Sequence, residues 1–157
     1  MAPLTVTSVD ELRDTVGKTI GPSEWREVSQ EMIDTFADLS GDHQWIHVDR
    51  ERAKTESPFG TTIAHGNLTL AAIDGFRDQL LESSGFKHGW NKVRFPAPVP
   101  AGAKIRASAE VVELDEVGGG WWQMVTRFTV EVEGSEKPCC VGDSVARFLP
   151  EQESNGS

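Results

Sequence analysis

Basic residues are scarce in this sequence: 15 Lys and Arg stand against 25 Asp and Glu, a formal net charge of −10 at pH 7, with an isoelectric point near 4.8. A field of that sign repels phosphate backbones and anionic lipid headgroups, so nucleic acid and membrane surfaces are excluded as expected partners. Long apolar runs are missing too, none approaching the ~18 residues of a membrane span. The opening Met-Ala-Pro-Leu-Thr-Val-Thr-Ser has neither a basic n-region nor a long apolar core, so no secretory leader is read and a cytoplasmic protein is expected. Cysteine is nearly absent. Cys139 and Cys140 are adjacent, and neighbours in an extended chain point to opposite faces, so a disulfide between them is not expected and reduced thiols fit. No Gly-x-Ser-x-Gly elbow supports a serine nucleophile, and the paired cysteines have no metal-ligand spacing. No internal repeat is present. The 157 residues sit near the ~150-residue prior for one domain. The polar end Glu-Gln-Glu-Ser-Asn-Gly-Ser cannot build a core, which gives a single domain over 1–149 and a disordered tail over 150–157.

What is present divides into a helical first half and a strand-rich second half. Ser8 with Glu11 forms a capping box for a short helix carrying Val9, Leu12 and Val16 and stopping at Gly17. Ser29 caps a second helix in which Met32, Ile33, Phe36, Ala37 and Leu39 recur at helical spacing, and Gly41 ends it. The stretch from Gly41 to Ile63 reads as loop and short helix. From Gly66 a longer helix carries Leu68, Leu70, Ala71, Ala72, Ile73, Phe76, Leu80 and Leu81, apolar around most of its girth, which predicts a helix surrounded by other elements. Beyond it the period becomes two. Ile105, Ala107, Ala109 and Val111 alternate with polar residues; after the turn at Gly118-Gly119-Gly120, Trp122, Met124, Phe128, Val130 and Val132 do the same, and a third strand spans about Cys139 to Leu149. Short glycine turns imply antiparallel pairing, and an apolar sheet face must be covered, most economically by the long helix. The expected architecture is α+β, a curved antiparallel sheet wrapped around one long central helix.

Titratable groups concentrate between Asp42 and Gly66, which hold three of the four histidines. Imidazole can accept and return a proton near neutrality, and an aspartate beside it can polarise a water. The bland alternative makes Asp42 a polar residue after a helix stop and His47 a half-buried loop residue; spacing alone does not choose. Gly66 at a helix start would let a ligand reach the unpaired N–H groups there, which can hold an oxyanion, or it is a packing glycine. His65 reads equally as structural. His43 and His47 stand four apart, a metal-compatible helical spacing, but Gln44 stands where a zinc protease has its glutamate, so no metal is assigned. From Ser83 to Ala109 there is no acidic residue, while Lys87, Lys92, Arg94, Lys104 and Arg106 fall there, a candidate site for ligand phosphates.

Taken together, Ser40-Gly41-Asp42-His43-Gln44-Trp45-Ile46-His47-Val48-Asp49 and Gly60-Thr61-Thr62-Ile63-Ala64-His65-Gly66 resemble the signature of the MaoC-like dehydratases, the (R)-specific enoyl-CoA hydratases of hotdog fold. Asn91-Lys92-Val93-Arg94-Phe95-Pro96-Ala97-Pro98-Val99 resembles the branch related to nodulation protein N. The likeness runs from about Trp25 to Leu149. It implies that Asp42 and His47 form the catalytic dyad of the family's Asp-x-Asn-Pro-x-His pattern, and that Gly66 supplies the oxyanion-hole N–H. Here Gln44 and Trp45 replace the family's Asn and Pro, which points to a different substrate shape.

The resemblance implies a hydro-lyase of fatty-acid metabolism that reversibly hydrates trans-2-enoyl-CoA to (R)-3-hydroxyacyl-CoA. It further implies an acyl-CoA substrate, a homodimer, and no metal or redox cofactor. Gln44, Trp45, Ile63, His65, Lys92 and Arg94 are the expected substrate contacts, the two cations for the CoA phosphates. An acyl-CoA thioesterase on the same fold, or a non-catalytic acyl-binding subunit, are the alternatives.

Overall fold

The computed structural model describes residues 3–5, 8–82 and 85–150; of the tail expected over 150–157, residues 151–157 lie outside them. A short strand β1 (Leu4–Thr5) precedes α1 (Val9–Thr15), whose cap Ser8 accepts the Glu11 N–H. Two further short strands, β2 (Thr19–Ile20) and β3 (Arg26–Glu27), lead to α2 (Gln30–Ser40). Ser29 caps α2 by accepting the Met32 N–H, and Gly41 closes it with φ 82°, a left-handed conformation that glycine adopts without strain. Then come the short helices α3 (Trp45–Val48) and α4 (Arg50–Glu56), followed by α5 (Gly66–Leu80). The remainder is strand: β4 (Leu81–Glu82), β5 (Phe86–Arg94), β6 (Lys104–Gly118), β7 (Trp121–Val132) and β8 (Cys140–Phe148).

β1 and β4 pair in parallel, while the main sheet runs β2-β6-β7-β8-β5 with β3 also on β6, every pairing antiparallel. The expected alternation holds along β6, where Ile105, Ala107, Ala109 and Val111 are buried. The small alanines let α5 approach the sheet, and its Ile73, Phe76 and Leu80 form one core with Phe128, Val130 and Cys140. Each of those three side chains contributes about 1.5–3 kcal/mol through burial. This is the α+β hotdog arrangement, an open curved sheet cupped around α5.

Three sequence expectations change. The helix is not enclosed on all sides: Asn67, Ala71, Asp74, Gly75 and Asp78 are exposed, because one sheet covers one side only and the opposite stripe carries short or polar residues. β5 carries no alternating signal. Its side chains are mostly exposed, and register shifts between Lys87 and Gly89 and between Asn91 and Arg94 break the period of two. In β7 a shift opposite Val111 and Glu113 leaves Met124, Val125 and Thr126 all buried in succession. Asp74, polar within an apolar helix pattern, is explained by Lys87, whose ammonium bonds both carboxylate oxygens at 2.7 and 2.8 Å.

Among the described residues no helix is long and apolar enough to cross a membrane. Cys139 and Cys140 are free and buried, their thiols pushed up to about 12 and about 11, chiefly by burial.

Candidate active site

The α2–α4 layer folds over the start of α5 and is fixed there by polar bonds rather than by a ladder. Gln30, buried in the first turn of α2, donates through Nε2 to the His47 carbonyl and to Asp34, and its Oε1 accepts the Thr62 hydroxyl. The segment after α4 is tied to the core by the Ala64 N–H on the Val99 carbonyl, 2.8 Å. Gln30 carried no sequence signal, since a glutamine in a first turn ordinarily faces water, and Thr62 stood within the Gly60–Gly66 motif without a role of its own.

His47 lies on the single turn of α3 with its side chain 10% exposed. Its Nδ1 stands 2.8 Å from the Ile63 carbonyl. A carbonyl only accepts, so Nδ1 carries the proton, and in the neutral ring Nε2 presents its lone pair. That lone pair faces Asp42 Oδ2 at 3.9 Å, beyond hydrogen-bond reach. The other carboxylate oxygen of Asp42 accepts the Gln44 N–H at 3.2 Å, and the Asp42 N–H donates to Ser40 Oγ, so the acid side chain is held although it is half exposed.

His65 is the residue before α5 and is buried. Its ring stacks on His47 with centroids 3.8 Å apart and planes 24° apart, while Nε2 donates to the Asp42 carbonyl at 2.9 Å. The start of α5, and with it the Gly66 N–H, therefore lies beside Asp42 and His47. Gly66 is required for closeness rather than for a special φ: a Cβ there would come 2.8 Å from the ring of Phe95. Phe95 is a neighbour not singled out in the sequence, although it sits inside the Asn91–Val99 run.

The remaining sequence candidates divide. Ile63 takes part through its backbone, donating to the Ile46 carbonyl and accepting from His47. Gln44 is exposed and its side chain makes no cap bond. The Trp45 ring lies 4.3 Å beneath the Arg52 guanidinium. Lys92, with φ 55°, and Arg94 are exposed at the end of β5, one residue before the Phe95 that touches Gly66. Of the other cations in the acid-free stretch, Lys87 is paired with Asp74 and Arg106 with Glu131. His43 does not join His47. It bonds Asp38 at 2.9 Å, which raises its pKa. Asp42, His47 and His65 do place ligand-type atoms within 4.8 Å of one another.

Residues 11–133 match the MaoC like domain. The chain belongs to the MaoC-like dehydratase family. It is 48% identical over 149 residues to 3-hydroxyacyl-thioester dehydratase Z of Mycobacterium tuberculosis, spanning 92% of this chain and 98% of that protein. It is 35% identical over 156 residues to nodulation protein N of Rhizobium leguminosarum bv. viciae, spanning 95% and 97%. Among solved structures, the unliganded R-hydratase PhaJ1 of Pseudomonas aeruginosa superposes with a TM-score of 0.68 at 27% identity, covering 87% of this chain and 83% of that one. In this MaoC-like dehydratase, the two motifs read from sequence thus meet in space across the His65–His47 stack.

Proposed function

We propose that this MaoC-like dehydratase is an (R)-specific enoyl-CoA hydratase, adding water reversibly across the double bond of a trans-2-enoyl-CoA. The observation that carries the reading is the 3.9 Å separation of His47 Nε2 and Asp42 Oδ2, with the other imidazole nitrogen already committed to Ile63. Both facing atoms are acceptors. A water held between them donates one O–H to each, which turns its lone pairs outward to the substrate.

That water attacks C3 through its oxygen as one proton passes into the Asp42–His47 pair. The pair returns one proton to C2, so one whole water is added and both side chains end as they began. Negative charge gathers meanwhile on the thioester oxygen. The Gly66 N–H, in the first turn of the 15-residue α5, is the assigned donor, and it lies at the positive end of the helix. Asp42 and His47 are the catalytic dyad in this reading. Gln44 and Trp45 flank the acyl group, and Lys92 and Arg94 meet the CoA phosphates. The reaction as written needs no metal or redox cofactor. The names of the relatives support the direction of the chemistry: a 3-hydroxyacyl-thioester dehydratase and an R-hydratase run the same step from opposite ends. A homodimer completes the proposal, supported by the outer edge of β5, a nine-residue strand at the end of the sheet. Sedimentation should report twice the chain mass.

The deciding assay follows enoyl absorbance and free thiol together, over enoyl-CoAs of increasing length, with chiral analysis of the product. Loss of absorbance without thiol, giving the (R)-3-hydroxy product, is expected. Release of thiol without hydration would make the protein a thioesterase instead.

A further inference from the structure

His65 is the buried group the mechanism above does not use. Its ring contacts two others, tilted 58° against Phe36 of α2 at 5.0 Å between centroids and stacked on His47 of α3 at 3.8 Å. Its Nε2–H is spent on the main-chain carbonyl of Asp42, and its Nδ1 is sealed from solvent with no hydrogen-bond partner among the described residues. Neither nitrogen faces a substrate, so the residue does not act on one directly. A buried polar atom without a partner is a cost, and folds accept such costs where geometry is worth more than stability.

We propose that His65 is a positioning residue that fixes Asp42 relative to His47 and to the mouth of α5; this rests on the hydratase reading of the same site. Asp42 follows the αL residue Gly41, its carboxylate is half exposed, and among the described residues its carbonyl is bonded by His65. Without that bond Asp42 is held by its own N–H donating to Ser40 Oγ at 3.3 Å and by the Gln44 N–H on its Oδ1 at 3.2 Å, both bonds reaching no farther than two residues along the chain. The His65 bond is the one that crosses to α5. It therefore sets where the carboxylate stands with respect to the oxyanion donor, while the stacked face of the same ring sets the plane of His47.

The two contributions separate by substitution. His65→Gln keeps an amide donor near the place of Nε2 and loses the ring; His65→Phe keeps the ring and loses the donor; His65→Ala loses both and replaces the Phe variant should that one not fold. With crotonyl-CoA, His65→Phe should lower kcat by roughly 10- to 100-fold with KM within about threefold, the usual effect of a misplacement near 1 Å, while His65→Gln recovers to within about fivefold of the parent. Amide exchange at Gln44, whose N–H rests on Asp42 Oδ1, reads the loop independently of turnover. Protection should persist in His65→Gln and fall at least tenfold in His65→Phe or His65→Ala.

A rise in KM at constant kcat would make His65 a substrate contact and overturn the proposal. So would a Gln variant as slow as the Phe variant, or unchanged Gln44 protection in all three. If the parent hydrates no enoyl thioester, the hydratase reading fails by itself, and Gln44 exchange still decides for or against the role of His65.

Discussion

The two ends of α5 are flanked by two pairings of an aspartate with a nitrogen-bearing side chain, made in opposite ways. At its start, Asp42 and His47 face each other across 3.9 Å, each kept from closing by bonds to third parties: Ile63 and Gln30 hold the histidine, and Gln44 and Ser40 hold the aspartate. Toward its other end, Asp74 and Lys87 have closed completely, with both carboxylate oxygens on one ammonium, and the half-buried Arg77 spends a donor on Ser144 at 2.7 Å and lies over the Phe128 ring. Burial lowers the Arg77 pKa, with Asp74 and Asp78 opposing that shift. Charge density alone would nominate either cluster. What separates them is whether the polar groups already satisfy one another. A closed pair satisfies its charges within itself, whereas a pair held apart at the separation one water bridges leaves both facing atoms open to that water.

Substitutions can break that contrast. The largest effect is expected from Asp42→Asn or His47→Gln, each lowering kcat on crotonyl-CoA by about 10²- to 10⁴-fold, the worth of a general acid–base group. The half-exposed Asp42 should leave the melting temperature nearly unmoved, read by calorimetry beside the kinetics. Parent-like turnover in both variants would refute the dyad.

Next comes Gly66→Ala, whose new methyl meets the Phe95 ring at 2.8 Å and should cost about 1–3 kcal/mol by overpacking, with turnover falling in step. Urea unfolding of the Gly66→Ala, Phe95→Ala pair should recover most of that stability; if it does not, closeness to Phe95 is not why glycine stands there. Asp74→Asn should change stability by no more than about 1 kcal/mol, because the pair is partly exposed, and kcat not at all. A kinetic effect equal to that of Asp42→Asn would erase the distinction between the two ends.

The smallest signal is expected from the thiols. With Cys139 and Cys140 pushed up to about 12 and about 11, raised above the ordinary thiol value, almost no thiolate exists at pH 8. A disulfide reagent should titrate no thiol quickly in the native protein and two after unfolding.

How legible these features were in the sequence follows the physics that holds each one. α2 announced itself through Ser29 and Gly41 because its caps are local. β6 did so because one face of a pleated strand is buried, and Ile105 to Val111 record that directly. β5 was silent, since its bulges and exposed side chains erase the period although its bonds to β8 are as real as any in the sheet. Within the site, Asp42, His47 and Gly66 were found as dense chemistry at a helix start and by resemblance. Gln30, Thr62, Phe36 and Phe95 were not singled out, because their importance is a matter of what lies opposite them, 17 residues away for Gln30 and His47 and 32 for Gln30 and Thr62. The acid-free cationic stretch read as one patch is really several fates, two of its members already neutralised by Asp74 and Glu131.

The proton on His47 answers to a main-chain oxygen, that of Ile63. Every amino acid brings the same carbonyl, so drift at position 63 can reshape whatever wall the isoleucine side chain forms without disturbing which imidazole nitrogen is bare. The choice of bare nitrogen is thereby independent of the side chain at position 63.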